Sequence, residues 1–385
     1  MSTFAPQTTY SDMLNTKHPV FLPLFLMLCL FALFQPIGLR PLRAEEPRRS
    51  IVAMEMEYSG NYLVPKVNDM YYYNKPPLYN WVLLGFFKLC DSYAEWVVRL
   101  PTVVSLILTA ILNFFFVRRY LPQKTALWSS LFYVLSADIL LYFSMLGEID
   151  IFYSLLVYVQ VFAIFHFFQH RQWLLLFGVS YLFTALGVLT KGVPSLAFQA
   201  LTLLTIFSYN KQFWRLFWWQ HIAGILLLFG LVGSYFYAYA QTPDSGDAIV
   251  YMIKLFVESS SRTGLETGIG STLTNFFRVP TILLKLFLPW TFLMVLLFQK
   301  GVKELLIQQP LLKFSFFFIV VNLLVYLISP GTRDRYLYMF LPFVGIIVAY
   351  FYQHFEKIPS RPHRILRVLV LGMLVSVASS FVVAA

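Results

Sequence analysis

The sequence predicts an all-α, polytopic membrane protein of about eleven transmembrane helices, with amphipathic juxtamembrane helices in one large loop. Three observations carry that reading. Hydrophobic residues make up 59% of the 385-residue chain and charged residues only 12%, against roughly a quarter charged in soluble domains. Mean hydropathy is +0.69. Several apolar stretches reach the ~20 residues that a helix needs to cross ~30 Å of hydrocarbon, and the alternating segments of a membrane barrel are not seen.

The chain is polar up to Lys17, and the apolar run 20–37 lacks a small-residue cleavage site, so it reads as a first membrane helix rather than a removed signal. Further spans fall at about 97–117, 126–146, 151–168, 173–190, 193–208, 219–240, 279–299, 314–329, 336–352 and 365–385. Residues 1–385 thus read as one transmembrane domain with two large loops, 40–97 and 241–278. Cys29 and Cys90 lack paired spacing, so neither a disulfide nor a metal site is expected from them.

Orientation follows from the basic residues of the short loops. With Lys17 cytoplasmic, alternation places inside Arg118, Arg119 and Lys124; Arg171; Lys211 and Arg215; Lys300, Lys303 and Lys313; and Lys357, Arg361, Arg364 and Arg367. The opposite face receives loop 40–97, the turns 147–150 and 190–192, loop 241–278 and the turn 329–335. Nearly every unusual polar residue therefore lands on one side. The net charge of +11 reflects this orientation and an anionic lipid or substrate rather than nucleic acid, for which no basic-aromatic module stands out.

That outer face carries Glu45, Glu46 and Asp150 against Lys75, Lys191, Arg262, Arg333 and Arg335. Charges near membrane depth are costly and are commonly held for function, and a mixture of signs suits a site that handles an anion and moves a proton. Plainer readings stand beside this one. Glu45 and Glu46 lie among Arg43, Arg48 and Arg49, where a solvated ion-pair cluster is ordinary. Asn74-Lys75-Pro76-Pro77 also reads as a turn that aims the next helix. Asp150 also suits a helix N-cap, Lys191 a helix C-terminus, and Arg333 with Arg335 a headgroup anchor.

These residues resemble a family. Glu45, Glu46 and Arg48, then Gly60 to Pro65, Lys75-Pro76-Pro77 and Arg99-Leu100-Pro101 are similar to the first extracytoplasmic loop of the GT-C membrane glycosyltransferases, which include bacterial aminoarabinose (lipid A) transferases and dolichyl-phosphate-mannose protein mannosyltransferases. Asp150, the run Leu186 to Gly192, Glu258 with Arg262, Leu288-Pro289-Trp290, and Arg335-Tyr336-Leu337 with Pro342 extend the likeness in order along the chain.

The resemblance implies a GT-C fold and transfer of a sugar, with inversion, from a polyprenyl-phosphate donor to a lipid A, glycan or protein acceptor. The site would face outward from the inner (plasma) membrane. Lys75, Lys191, Arg262 and Arg335 would bind the donor phosphate. Glu45 would be the general base, Arg48 and Glu46 would orient it, and Asp150 would complete the catalytic group. Glu45 and Asn74 stand where the family usually has Asp and often has Glu, and Ser259 stands where His is frequent. No metal ligand set and no other cofactor is therefore expected. The run to Ala385 is apolar, so the soluble C-terminal domain of some relatives is not expected. The alternative classes are a transporter or flippase of lipid-linked sugars, which would show mid-membrane charges and repeated halves, and an inactive lipid-binding scaffold.

Overall fold

The computed structural model describes residues 21–261, 269–328 and 332–356, together with 368, 370–373 and 375–376. Its helices run in chain order as α1 Phe21–Phe34, α2 Glu46–Ser59, α3 Leu78–Cys90, α4 Glu95–Val117, α5 Gln123–Val134, α6 Ala137–Leu141, α7 Ile149–Gln169 and α8 Trp173–Lys191. There follow α9 Pro194–Tyr209, α10 Trp219–Gln241, α11 Ala248–Ser261, α12 Ile269–Leu286, α13 Val302–Gln308, α14 Pro310–Ile328 and α15 Leu341–Glu356. A two-stranded hairpin, β1 Lys66–Val67 and β2 Met70–Tyr71, separates α2 from α3. Its turn residues Asn68 and Asp69 both take positive φ, 51° and 61°, the conformation that a two-residue hairpin loop demands and that Asn and Asp tolerate.

Among the described residues, six helices are long and apolar enough to cross a membrane: Glu95–Val117, Ile149–Gln169, Trp173–Lys191, Trp219–Gln241, Pro310–Leu327 and Asp334–Phe355. The chain is a multi-pass membrane protein. Two bent pairs bring the number to eight among the described residues, Gln123–Val134 with Ala137–Met145 at 45° and Thr274–Leu286 with Trp290–Phe298 at 119°. By length and composition the expected count of about eleven is not reached. α9 is apolar but only 16 residues long, a rise of about 24 Å, α1 is shorter still, and 365–385 lies largely outside the described residues.

The two bends meet. Breaking a helix frees backbone donors and acceptors that must be satisfied within the bundle, because lipid offers no partner. Here the Ala137 N–H, at the break after α5, donates to the Leu288 carbonyl at 2.7 Å, which sits at the other break beside Pro289. Trp290, fully buried, stacks on Phe132 at 4.7 Å between ring centres and seals the junction. One bend therefore supplies the acceptor for a donor at the other.

α7 is the central helix, buried along most of its length and packed on α4, α8 and α9. α15 is likewise enclosed, against α5 and α14. α10 leans on α8 and leaves Ile222, Leu226, Phe229 and Tyr237 exposed, as suits a lipid-facing helix. Asn113 of α4 donates to the hydroxyls of Ser129 and Ser130 and accepts from Tyr158, a buried polar knot linking α4, α5 and α7.

α2 and α3 lie over one end of this bundle. α2 buries Arg49, Val52, Ala53 and Met56, and α3 buries Tyr79, Asn80, Leu83, Leu84 and Phe87. Both sets follow the three- and four-residue spacing of an amphipathic helix, and their apolar members together with Val97, Val98 and Ile149 form a second apolar core. α2 ends at Gly60, whose φ of 66° stops the helix in the left-handed conformation that glycine adopts without strain. Cys29 and Cys90 are both free.

Candidate active site

Six chain segments converge where α2 meets the ends of α7 and α8, around a polar cavity that opens to solvent. Five basic and four acidic side chains line it: Arg48, Arg49, Lys75, Lys191 and Arg335 with Glu45, Glu148, Asp150 and Glu258. Tyr72, Asn74 and Tyr336 add polar atoms. Of the residues singled out in the sequence, Glu45, Arg48, Lys75, Asp150, Lys191 and Arg335 are thus brought together. Arg262 lies outside the described residues, and Arg333 is exposed and does not line the cavity.

Asp150 sits in the first turn of α7, where the helix N-terminus favours a carboxylate. It does not cap the helix; that position belongs to Glu148. The Asp150 carboxylate instead meets Lys191 Nζ at 2.5 Å, both groups being buried, and faces Arg335 Nε at 3.7 Å. Lys191, the last residue of α8, also lies over the rings of Tyr153 and Tyr336 at 5.0 and 4.5 Å, where ring faces attract a desolvated cation. The close approach of α8 and α9 that sets this geometry depends on Gly187, where any side chain would fall against Ser195.

Lys75 is fixed by the chain around it. Pro77 caps α3, and the buried Tyr251 hydroxyl of α11 donates to the Lys75 carbonyl at 2.8 Å. Its Nζ donates to the Asn74 carbonyl at 2.9 Å and stands 3.8 Å from Glu258. Glu45 precedes α2, accepts from Arg48 at 2.8 Å and keeps about a third of its side chain exposed, at 29%.

Glu46 is placed differently from its neighbour. It is fully buried, does not line the cavity, and its two carboxylate oxygens receive Arg99 Nε at 2.8 Å, Arg99 Nη2 at 3.2 Å, the Gly147 N–H at 2.6 Å and the Arg43 N–H at 2.9 Å. With both oxygens engaged, it is a structural tie rather than a group open to substrate.

Two lining residues escape the sequence reading. Arg49 is buried with its guanidinium over the Tyr72 ring at 5.8 Å, and nothing in a run of arginines marks it out. Glu148 is 1% exposed; it accepts the Glu45 N–H at 3.3 Å and Arg335 Nη1 at 3.2 Å. Burial pushes the Glu148 carboxyl above its ordinary range and the charge of Asp150 adds to this, while Arg335, the Glu45 N–H and Arg49 act the other way. Its one sequence signal is its place two residues before Asp150.

Among the described residues no three His, Cys, Asp or Glu side chains gather as a metal site would require. The cavity carboxylates already face basic groups: Arg48 on Glu45, Lys191 and Arg335 on Asp150, Arg335 on Glu148, Lys75 near Glu258. This donor set fits an anion better than a divalent cation.

Directly beside the polar cavity runs an apolar groove, lined by Pro76, Val188, Leu189, Gly192, Val193 and Leu196 and by Phe236, Met252, Ile253, Leu255 and Phe256. Lys75 and Lys191 face the polar side, and the next residue of each, Pro76 and Gly192, lines the groove.

A family model described as dolichyl-phosphate-mannose-protein mannosyltransferase matches residues 74–236. The chain is 27% identical over 342 residues to an undecaprenyl phosphate-alpha-4-amino-4-deoxy-L-arabinose arabinosyl transferase of Shewanella sediminis (strain HAW-EB3), covering 86% of this chain and 59% of that protein. A second arabinosyl transferase of this kind, from Proteus mirabilis (strain HI4320), is 25% identical over 310 residues, covering 78% and 53%. The chain therefore spans between half and two thirds of the length of these relatives. In fold it matches the crystal structure of ArnT from Cupriavidus metallidurans bound to undecaprenyl phosphate, with a TM-score of 0.73 at 19% identity over 92% of this chain and 63% of that one. By motif, by sequence and by fold, this chain resembles the GT-C membrane glycosyltransferases, the aminoarabinose transferases and protein mannosyltransferases among them.

Proposed function

We propose that the chain transfers a sugar, with inversion, from a polyprenyl-phosphate donor to an acceptor on the outer face of the inner membrane. The observation that carries this is the junction at Lys75-Pro76 and Lys191-Gly192, where a cationic cavity adjoins an apolar groove. An amphiphile with a phosphate head and a prenyl tail is complementary to both halves at once. The names of the relatives make an undecaprenyl-phosphate-linked aminopentose the first donor to test; lipid A, a glycan and a protein hydroxyl are the acceptor classes that the family resemblance implies.

In this reading Glu45 takes the proton of the acceptor hydroxyl as its oxygen attacks the anomeric carbon. The bond from that carbon to the phosphate oxygen breaks, and the charge left on polyprenyl phosphate is stabilised by Lys75, Lys191 and Arg335, with Arg262 of the same loop as Glu258 a further candidate. Arg48 orients Glu45, and Asp150 aligns Lys191 and Arg335. Glu46 serves the base from behind, by fixing the turn that carries it. An acceptor that is itself an ionised phosphate has no proton to give up and would not need Glu45 as a base.

Loops 40–97 and 241–278 form the outward apron of this site, and the count of about eleven crossings is retained with α1, α9 and 365–385 added to the eight. The basic clusters of the opposite loops support a periplasmic cavity. A transporter would hold its charged site at mid-depth between repeated halves, whereas Asp150, Lys191 and Arg335 stand at the ends of α7, α8 and the turn before α15.

The test is transfer from undecaprenyl-phosphate-linked aminoarabinose to lipid A by the purified chain. Glu45→Gln and Lys75→Ala should each lower turnover by about 10²–10³ while the proteins remain folded in detergent. Full activity in both variants would sink the assignment.

A further inference from the structure

We infer that Glu148 is a positioning residue whose charged carboxylate holds the Glu45 turn and Arg335 at a fixed separation across the cavity. The inference rests on the function proposed above, in which Glu45 serves the acceptor side and Arg335 the donor phosphate.

The turn that delivers Glu45 is strained. Ala44 has a φ of 56°, a left-handed conformation that is unfavourable for a residue with a side chain. Surrounding bonds must hold it. Two carboxylates do so from opposite sides: Glu46 accepts the N–H of Arg43 before the strained residue, and Glu148 accepts the N–H of Glu45 after it. The arrangement is reciprocal, because Glu46 also accepts the N–H of Gly147, the residue before Glu148. Loops 43–46 and 147–148 are thereby locked together, and the Thr102 hydroxyl, donating to the Glu148 carbonyl at 3.3 Å, adds a tie from α4.

The two carboxylates differ in what else they face. Glu46 turns away from the cavity to Arg99, whereas Glu148 lines the cavity and presents its second oxygen to Arg335. A neutral amide would also accept the Glu45 N–H, if more weakly than a carboxylate, and would be cheaper to bury, particularly beside Asp150. The charge therefore serves Arg335. It sets where the guanidinium stands before a phosphate arrives, and it competes with that phosphate for the guanidinium afterwards.

This separates Glu148 from a merely structural residue. In Glu148→Gln the Glu45 N–H keeps an acceptor, but Arg335 loses a negative partner. Undecaprenyl phosphate should then bind severalfold more tightly while turnover falls about tenfold, since Arg335 is misplaced and the anionic product leaves more slowly. Glu148→Ala, which also releases the Glu45 turn, should lower turnover further.

The experiment measures undecaprenyl phosphate affinity by thermal shift in detergent, and kcat and KM with undecaprenyl-phosphate-linked aminoarabinose, for the full chain and both variants. Tighter binding with slower turnover in Glu148→Gln is the expected result. Wild-type affinity and turnover in that variant would overturn the inference, and so would a parallel loss of both. If Glu148→Ala does not fold, Glu148→Gln decides alone. An unaltered chain that neither binds undecaprenyl phosphate nor transfers sugar would instead overturn the functional reading, and this inference with it.

Discussion

Arg99 holds Glu46 with two nitrogens, Nε on one carboxylate oxygen at 2.8 Å and Nη2 on the other at 3.2 Å, across 53 residues of chain and with both side chains almost wholly buried. The same guanidinium donates to the carbonyls of Ile37, Arg40 and Pro41. Arg99 therefore gathers the end of the α1 segment, the strained turn and the start of α4 around one fork. Removing one partner of a buried pair leaves an uncompensated charge and costs about 3–5 kcal/mol. Arg99→Met should lower the thermal midpoint in detergent sharply. Arg99→Lys should restore little, because an ammonium cannot span both oxygens and the carbonyls; a lysine variant that melts like the unaltered protein would contradict this.

Asp150 and Lys191 form the second buried pair, and they lie inside the cavity rather than behind it. Asp150→Asn and Lys191→Met should each destabilise by about 3 kcal/mol or more and abolish transfer. The double variant should regain part of the stability, since no lone buried charge remains, yet stay inactive. Thermal melts and a transfer assay on the three variants separate the two effects. Recovery of transfer in the double variant would remove both residues from the proposed mechanism.

The cations of the cavity are legible in the sequence because a lysine or arginine at the end of an apolar run stands out against its surroundings, as at Lys75, Lys191 and Arg335. Arg99 is equally conspicuous in Arg-Leu-Pro, but its partner is not, because only tertiary packing tells Glu46 from Glu45: one side chain of the pair turns inward and the next stays with Arg48. Glu148 hides for a related reason, its charge being spent on a distant arginine and a distant backbone N–H. The break in span 126–146 is marked only by Ser136 at the N-cap position of α6 and Asp138 in its first turn. No proline or glycine interrupts the run near Leu135, and the bend is stabilised by the Leu288 carbonyl far along the chain.

Gly147 makes a sharper test of the loop lock than any charged residue. A Cβ there would stand 2.7 Å from the Val98 carbonyl oxygen and equally close to Val98 Cγ1. Since the N–H of Gly147 is held by Glu46 at 2.6 Å, neither side can yield without moving the loop. Gly147→Ala should cost about 1–3 kcal/mol by overpacking and reduce transfer by more than tenfold through displacement of Glu148 and Asp150. The measurement pairs thermal melts with kcat, and retention of full kcat would mean that the loop tolerates the shift.

The apolar groove calls for a substitution that fills it without touching the polar cavity. Leu196 of α9 lines the groove and is 38% exposed, so Leu196→Trp should fold normally. Occupying space meant for a prenyl chain, it should raise the donor KM at least tenfold. A water-soluble donor with a short prenyl chain should be affected far less. Equal losses with long and short chains would indicate that the tail lies elsewhere.

The pH dependence of stability follows from Glu148. Its carboxyl titrates above the ordinary value of 4.5, because burial and Asp150 disfavour its charged form. A group whose folded pKa is raised contributes stability that is fully present below its unfolded pKa and is lost as pH rises through the folded value. The window therefore opens near 4.5 and extends upward from it. Within that window Glu148→Gln, which cannot ionise, should gain thermal midpoint relative to the unaltered protein as pH rises, and the difference should level off once Glu148 is fully charged. Undecaprenyl phosphate should show the matching trend, with its affinity for the unaltered protein approaching that of Glu148→Gln on acidification as protonation releases Arg335. Melting curves and binding isotherms on both proteins across that range provide the check, and two curves that stay parallel at every pH would place the titration outside Glu148.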